Sequence, residues 1–430
     1  MKKILIIALI LLYILNIHIP AAYADSLNID TQACILIDSK SGQVLYEQNS
    51  NEKGLFPAST TKIMTAILAI ERGDPDRIMT ASQSAVDDIG KDGMNIGIMA
   101  GEELRMENLL EALLISSANE TANIIAENIC STREEFVGLM NQKALELGAE
   151  NTHFANPCGA HDPNHYTTAS DLAKIARYAM TLPKFREIVS KTEYTIPPTN
   201  KHDTWPTLYT SNQFLRYYQN DMFKITGIKT GYTTPAGFNL VSSAVNNDGI
   251  ELIAVVMGVR NAGAKNNVNK YSEQLLEYGF RSFSIQNLVD AGQVIEKDVP
   301  VVDAEQDQKL DLMAESNVSG LLPLDKDKWK LVKEQHIESP VNAPVNQGDV
   351  LGYIEYKNNG ITLGRTNIIA SKTINKVFVL KNAGSIKKLT QNPLFNRVVI
   401  IISVILLLFL ILRVVLRNIS RRINSKKYRY

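Results

Sequence analysis

Two apolar segments close the chain at its ends, and they decide where everything between them can fold. Val398 to Leu412 is unbroken and apolar apart from Ser403, and Val414 to Leu416 carry the run past Arg413. Tilted, and with Arg413 reaching for the interface, such a run spans a bilayer. It has no polar face, so a helix lying flat on the surface does not fit. Arg417, Arg421, Arg422, Lys426, Lys427 and Arg429 follow without an acid, the mark of a tail that stays cytoplasmic. At the other end, Lys2 and Lys3 precede the mostly apolar Ile4 to Ile19, and Ala22-Tyr23-Ala24 offers small residues at a cleavage site. Asn16, His18 and Pro20 argue against an uncleaved anchor. The expectation is export, cleavage after Ala24, and a body held outside the cell by one C-terminal helix.

The full chain has 430 residues, room for two domains beside these segments. Lys+Arg and Asp+Glu both total 45, so there is no basic excess and no nucleic-acid partner is expected. Cys34, Cys130 and Cys158 fit neither a disulfide framework nor a zinc site. Cys158 lies near His161, but nothing supplies the rest of a Cys/His site. No cofactor and no metal is called for.

From Asp25 to Phe280 strand-like and helical patterns alternate. Ala33 to Asp38 and Gln43 to Glu47 read as strands around the turn Ser39 to Gly42. Ser59 to Arg72 has helical periodicity and stops at Gly73 and Pro75. Leu109 to Asn128 reads as one or two helices with a polar break at Ser116 to Thr121. Leu240 to Val245 and Ile250 to Val259 flank Asn246-Asn247-Asp248-Gly249, a hairpin signal that makes this part of the sheet antiparallel. Tyr271 to Phe280 closes the region as a helix. Short β-type runs follow: Val299 to Val302, Trp329 to Val332, Val350 to Tyr356 and Gly360 to Ile369. The layout expected is a signal peptide 1–24, a catalytic domain 25–280, a β-rich domain 281–381, a linker 382–396, a transmembrane helix 397–416 and a basic tail 417–430.

Three motifs carry chemistry. In Ser59-Thr60-Thr61-Lys62 the i and i+3 side chains share a helix face. A neutral, desolvated lysine can then take the serine proton. Ser117-Ala118-Asn119 sits in the polar helix break, where a serine and an asparagine two apart can face one cleft. Lys229-Thr230-Gly231, before Tyr232, presents a cation and a hydroxyl to an anion, with a glycine for close backbone approach. Each alone is weak. Ser385-Ile386-Lys387-Lys388 repeats the first and Ser26-Leu27-Asn28 the second, in contexts without meaning. The ordered set is specific, because S-x-x-K and K-T-G mark class A β-lactamases and penicillin-binding proteins.

The chain resembles the D-alanyl-D-alanine carboxypeptidases of the low-molecular-mass penicillin-binding type. The likeness rests on Phe56 to Thr65, Gly227 to Thr233, Ala236 to Val241, His165 to Leu172 and Ala343 to Gly352. It covers nearly everything between signal and anchor. It implies an α/β (α+β) catalytic domain with an antiparallel sheet flanked by helices, and a small all-β second domain. It makes Ser59 the acyl-forming nucleophile, Lys62 its general base and Ser117 the relay to the leaving amine. Asn119 would hold Lys62 and the substrate amide, and Lys229 and Thr230 the peptide's terminal carboxylate. The Ser59 and Tyr232 N–H groups would form the oxyanion hole. The implied substrate is the peptidoglycan stem peptide, with β-lactams as covalent inhibitors. Burial and the charge of Lys229 should lower the Lys62 pKa. Related enzymes often carry an arginine near Asn267-Val268, where this chain has only Arg260, Lys265 and Lys270 close by.

Other readings use the same motifs. A β-lactamase would need a glutamate for the deacylating water, usually in an E-x-x-L-N phrase, and none is present. A DD-endopeptidase or transpeptidase differs only in the acyl donor or acceptor. A non-catalytic cell-wall-binding module would not need Ser59, Lys62, Ser117 and Lys229 intact.

Overall fold

The computed structural model describes residues 27–91, 93–304, 308–377 and 391–426. The expected signal peptide, its cleavage site and both decoy motifs lie wholly or partly outside them. Up to residue 282 the strands are β1 (Ala33–Asp38), β2 (Val44–Gln48), the short pair β3 (Ile78–Thr80) and β4 (Glu103–Arg105), the short pair β5 (Glu193–Tyr194) and β6 (Leu208–Tyr209), and then β7 (Phe223–Thr233), β8 (Gly237–Asn246) and β9 (Glu251–Val259). The helices are α1 (Lys62–Arg72), α2 (Gln83–Asp87), α3 (Met106–Ile115), α4 (Asn119–Ile129), α5 (Arg133–Glu146), α6 (Ala169–Ala179), α7 (Pro183–Val189), α8 (Gln213–Tyr217) and α9 (Ala264–Ser282).

The main sheet runs β2-β1-β9-β8-β7 and every neighbouring pair is antiparallel. The Asn246 to Gly249 turn joins β8 to β9 as the hairpin signal requires: Gly249 N–H donates to Asn246 O at 3.1 Å. Side chains alternate across a strand, and β1 shows where each face goes. Ala33, Ile35 and Ile37 join the core under α1, α3, α4 and α6. Cys34 and Leu36 join the core under α9. The sheet is thus covered on both faces, which is why its strands read as nearly continuous apolar runs. Helix α1 is the centre of the first core, with Ile63, Met64, Ala66, Ile67, Leu68 and Ala69 all buried. It stops at Gly73, whose N–H donates to Ala69 O.

Two local differences from the sequence reading matter. Helix α1 begins at Lys62, and Ser59 stands before it on a 3₁₀ turn, Ala58–Thr61. Helix α9 begins at Ala264, seven residues before the expected start at Tyr271. Its first turn is largely polar, so the apolar period shows only later; Gly263, at φ +80°, opens it.

Between Phe283 and Ala370 the described elements are strands plus one 3₁₀ turn, Lys326–Lys328, which makes this C-terminal part all-β. Strands Phe283–Val289, Lys309–Ala314 and Val318–Pro323 were not among the expected runs. The chain forms two compact units: the first reaches Gln293 and adds Ala314–His336 and Tyr353–Asn367, and the second holds Val294–Met313, Ile337–Gly352 and the chain from Ile368. Within the first, Phe283–Val289 pairs antiparallel with Val318–Pro323. Within the second, Val294–Val302 pairs antiparallel with Lys309–Ala314 and parallel with Val341–Asn342. The last helix, α10 (Pro393–Lys426), begins inside the expected linker, and Pro393–Ile419 of it is long and apolar enough to cross a membrane.

Candidate active site

In a 3₁₀ turn the i and i+3 side chains eclipse. Ser59 on the turn and Lys62 as the first residue of α1 therefore meet: Lys62 Nζ donates to Ser59 Oγ at 3.0 Å. The turn is held from below and from the side. The Thr60 hydroxyl donates to Pro57 O at 2.8 Å. Asn239 on β8 donates from Nδ2 to Phe56 O at 2.9 Å and to Pro57 O at 3.1 Å, while its Oδ1 accepts the Gly258 N–H at 2.8 Å. Gly231 on β7 lies so close that a Cβ there would come 2.7 Å from Pro57 O and 3.2 Å from Ser59 N. This is the close approach that the glycine of Lys229-Thr230-Gly231 permits. Ala58, just before Ser59, takes a left-handed φ of +51°. Such a conformation costs an alanine of order 1–3 kcal/mol and persists only where its surroundings over-determine it.

The break between α3 and α4 brings the second motif to Lys62. Asn119 opens α4, and its Oδ1 accepts from Lys62 Nζ at 2.6 Å. Its Nδ2 donates to Ile89 O at 2.7 Å, which fixes the amide orientation, since a flip would set oxygen against oxygen. Ser117, two residues earlier, is 4% exposed and left-handed at φ +69°.

A third acceptor for Lys62 comes from a loop that no motif marked. Lys62 Nζ donates to Cys158 O at 2.7 Å, and the Thr65 hydroxyl donates to Pro157 O at 2.5 Å. Asn156 shapes this loop: its Oδ1 accepts the N–H groups of Gly159 at 2.7 Å and Ala160 at 3.0 Å. His165 closes it. Its Nδ1 accepts the Ala155 N–H at 3.2 Å, so the proton sits on Nε2 and is donated to Thr61 Oγ1 at 2.7 Å. Burial lowers the His165 pKa to about 3, and the ring stays neutral. The Cys158 thiol is buried and donates to Asn156 Oδ1; what it offers the site is its carbonyl.

These contacts orient the lysine. Burial lowers the Lys62 pKa to about 8, against smaller opposing contributions from Cys158 and Glu120. A neutral amine has two N–H bonds and one lone pair. Asn119 Oδ1 and Cys158 O can only accept. They take the two N–H bonds, and where the ammonium directs its third N–H at Ser59 Oγ the neutral amine has its lone pair. The two amines repel each other, and on Lys229 burial first and then Lys62 push the pKa well down.

Lys229 and Thr230 lie on β7, at the edge of the main sheet. Lys229 is 1% exposed, and Nζ touches only neutral oxygens, Thr230 O at 3.2 Å and Ser211 Oγ at 3.5 Å. Ser211 also meets Thr230 Oγ1 at 3.0 Å. An amine and two hydroxyls thus converge, and Ser211 is a member that sequence reasoning missed. The Tyr232 side chain is exposed and leans on Phe238, with ring centroids 4.4 Å apart. Arg260 donates to the carbonyls of Thr234 and Pro235, so it ties down the β7–β8 turn. Among the described residues no group of three or more His, Cys, Asp or Glu side chains could hold a metal.

A serine in contact with a buried lysine, on an antiparallel sheet covered by helices, defines a penicillin-binding-type fold. The structure of penicillin binding protein 5 from Haemophilus influenzae shares it, with a TM-score of 0.63 and 26% identity over 81% of this chain and 99% of that one. PBP3 from Streptococcus pneumoniae shares the fold at 23% identity and a TM-score of 0.67, over 81% of this chain and all of that one. In sequence, the D-alanyl-D-alanine carboxypeptidase DacF of Bacillus subtilis is 30% identical over 87% of this chain and 95% of its own length. Residues 20–261 match the D-alanyl-D-alanine carboxypeptidase family and residues 283–376 the penicillin-binding protein 5 C-terminal domain. The chain belongs to the D-alanyl-D-alanine carboxypeptidase family of serine peptidases.

Proposed function

We propose that this enzyme removes the C-terminal D-alanine of peptidoglycan stem pentapeptides through an acyl-enzyme on Ser59. The observation that carries this reading is the Lys62 amine, 3.0 Å from Ser59 Oγ and held by two oxygens that can only accept. The Ser59 proton passes to the Lys62 nitrogen while Oγ bonds to the carbonyl carbon of the penultimate D-alanine. The carbonyl electrons move onto its oxygen, which faces the N–H groups of Ser59 and Tyr232; the closeness of Gly231 to Ser59 N supports that pairing. The C–N bond then breaks. The leaving amine takes a proton through the Ser117 hydroxyl, and water later hydrolyses the ester. Lys229, Thr230 and Ser211 receive the terminal carboxylate, and Asn119 also meets the substrate amide. A β-lactam acylates the same oxygen by ring opening.

The apolar helix fits membrane anchoring. In the orientation we propose, the catalytic part lies outside the cell and the basic tail inside. The domain limits proposed are 25–280 for the catalytic part and 281–381 for the β-rich part.

The test is to incubate the full-length protein with a labelled penicillin and a D-Ala-D-Ala peptide. A stable adduct with D-alanine release supports the reading. Rapid penicillin turnover would indicate a lactamase. No adduct, with Ser59→Ala indistinguishable from wild type, would indicate a binding module.

A further inference from the structure

Glu120 follows Asn119 at the start of α4, and no step above uses it. It is 1% exposed. Its Oε1 accepts the Ile96 N–H at 2.6 Å. Its Oε2 is shut off from solvent and has no hydrogen-bond partner among the described residues. A buried carboxylate is destabilising unless donors or a cation compensate it; the Ile96, Glu120 and Gly97 N–H groups supply part of this, and the charge of Lys62 adds to it. Asn119, the adjacent residue, is bonded to Lys62 Nζ, so one helical turn carries both the amine's acceptor and the carboxylate. Among the described residues the hydrogen bonds of Lys62 and Lys229 are to neutral oxygens. When Lys62 takes the Ser59 proton, a positive charge appears in a dry site that already holds a second amine.

We propose that Glu120 is the counter-ion of the acylation step: from the same helical turn as Asn119, its carboxylate stabilises the ammonium that Lys62 becomes on receiving the Ser59 proton. It is a positioning residue, because it touches neither substrate nor the reacting atoms. The inference rests on the reading of Lys62 as the base. The titratable groups that face Lys62 are Glu120 on α4, the Cys158 thiol on its loop, Lys229 on β7 and His165. His165 is neutral, and Lys229 is a cation or neutral, so Glu120 is the carboxylate of the set. Burial raises its pKa, while the N–H groups of Ile96, Glu120 itself and Gly97, and after them Lys62, favour its anion.

The sign follows. An anion beside Lys62 raises its affinity for a proton, so losing the anion lowers it. Glu120→Gln keeps an acceptor for the Ile96 N–H and removes the charge. In the full-length protein, the second-order acylation rate with a fluorescent penicillin is measured from about pH 6 to about pH 10. The rising limb is expected to move down by about one pH unit, and the plateau to fall about tenfold as the ammonium loses its counter-ion. A limb that stays in place, whether or not the rate falls, would overturn the proposal, since a structural defect scales the rate without moving the limb. Glu120→Asp keeps the charge but is too short for Ile96: its limb should stay at the wild-type position, and a displaced limb there would also overturn the proposal. It decides the matter if Glu120→Gln does not fold. Failure of the underlying reading looks different: wild type would show no limb near pH 8, or Lys62→Met would still acylate.

Discussion

The wild-type acylation rate should rise with pH at unit slope and level off close to the Lys62 pKa. Burial moves that value from 10.5 to about 8. At pH 7 about one-tenth of the lysine is then the free base, against about three parts in ten thousand for an unshifted amine, a gain of about 300-fold. Stopped-flow mixing with a fluorescent penicillin gives the second-order constant at each pH. Half of the plateau near pH 8, and about one-tenth of it at pH 7, is expected. A rate still rising beyond about pH 10 would mean an unshifted lysine, and a flat profile would mean that Lys62 is not the base.

The same interval is a stability statement. A folded-state pKa below the unfolded value gives stability that is present above the unfolded pKa and lost as pH falls through the folded one. For Lys62 the window runs from 10.5 down to about 8, and it is worth about 3 kcal/mol. Lys62→Met removes the titration. The stability of wild type relative to Lys62→Met should therefore rise by about 3 kcal/mol between about pH 7 and about pH 10.5. A pH-independent difference in denaturant melts would refute the burial account.

Two substitutions and one control test how Ser59 is held. Gly159 has φ +84°, and a Cβ there would come 2.0 Å from Ala58 O, so Gly159→Ala should push Ser59 out of line and cut acylation about 10²-fold. Gly54→Ala, at φ +77° with nothing within 4 Å, should cost about 1 kcal/mol in thermal melts and leave acylation unchanged. Asn239→Ala removes three hydrogen bonds, two of them to the turn before Ser59. It should lower stability by about 2–3 kcal/mol in urea titration and slow acylation; a stable variant acylating at the wild-type rate would show that the turn holds itself.

What the sequence made legible followed from identity and period. The β8–β9 hairpin was readable because its turn residues are specific to a tight reversal. The three motifs were readable because the chemistry proposed for them needs particular side chains. The 3₁₀ turn was not: over four residues a period of 3.0 cannot be told from 3.6. Nor was the Cys158 contact, because it uses a backbone carbonyl, which every residue has. Ser211 sits among Thr210 and Asn212, and only the fold shows that it, and not a neighbour, reaches Lys229 and Thr230. Glu120 was hidden for a related reason. On an apolar helix it reads as one more surface acid, and only burial with an unpaired oxygen sets it apart.

The site holds two buried amines; the proposed mechanism gives them opposite tasks, and the proposed substrate resolves the conflict. Lys62 must be neutral to take a proton. Lys229 must be charged to hold a carboxylate, yet with no anion present burial and Lys62 depress its pKa. A terminal carboxylate placed against Lys229, Thr230 and Ser211 supplies the missing charge, raising the pKa of Lys229 and screening Lys62 from it. Recognition and protonation are therefore one event, and a peptide ending in an amide should fail. It would leave Lys229 buried without a counter-ion, a loss of about 3 kcal/mol or more, or about 10²-fold in kcat/KM. Ser211→Ala removes one neutral contact and should raise KM for the acid about fivefold, with little effect on the amide. Steady-state release of D-alanine or D-alaninamide from matched peptides measures both. An amide processed within a few-fold of the acid would refute the argument, and equal losses for both peptides would reduce Ser211 to a structural role.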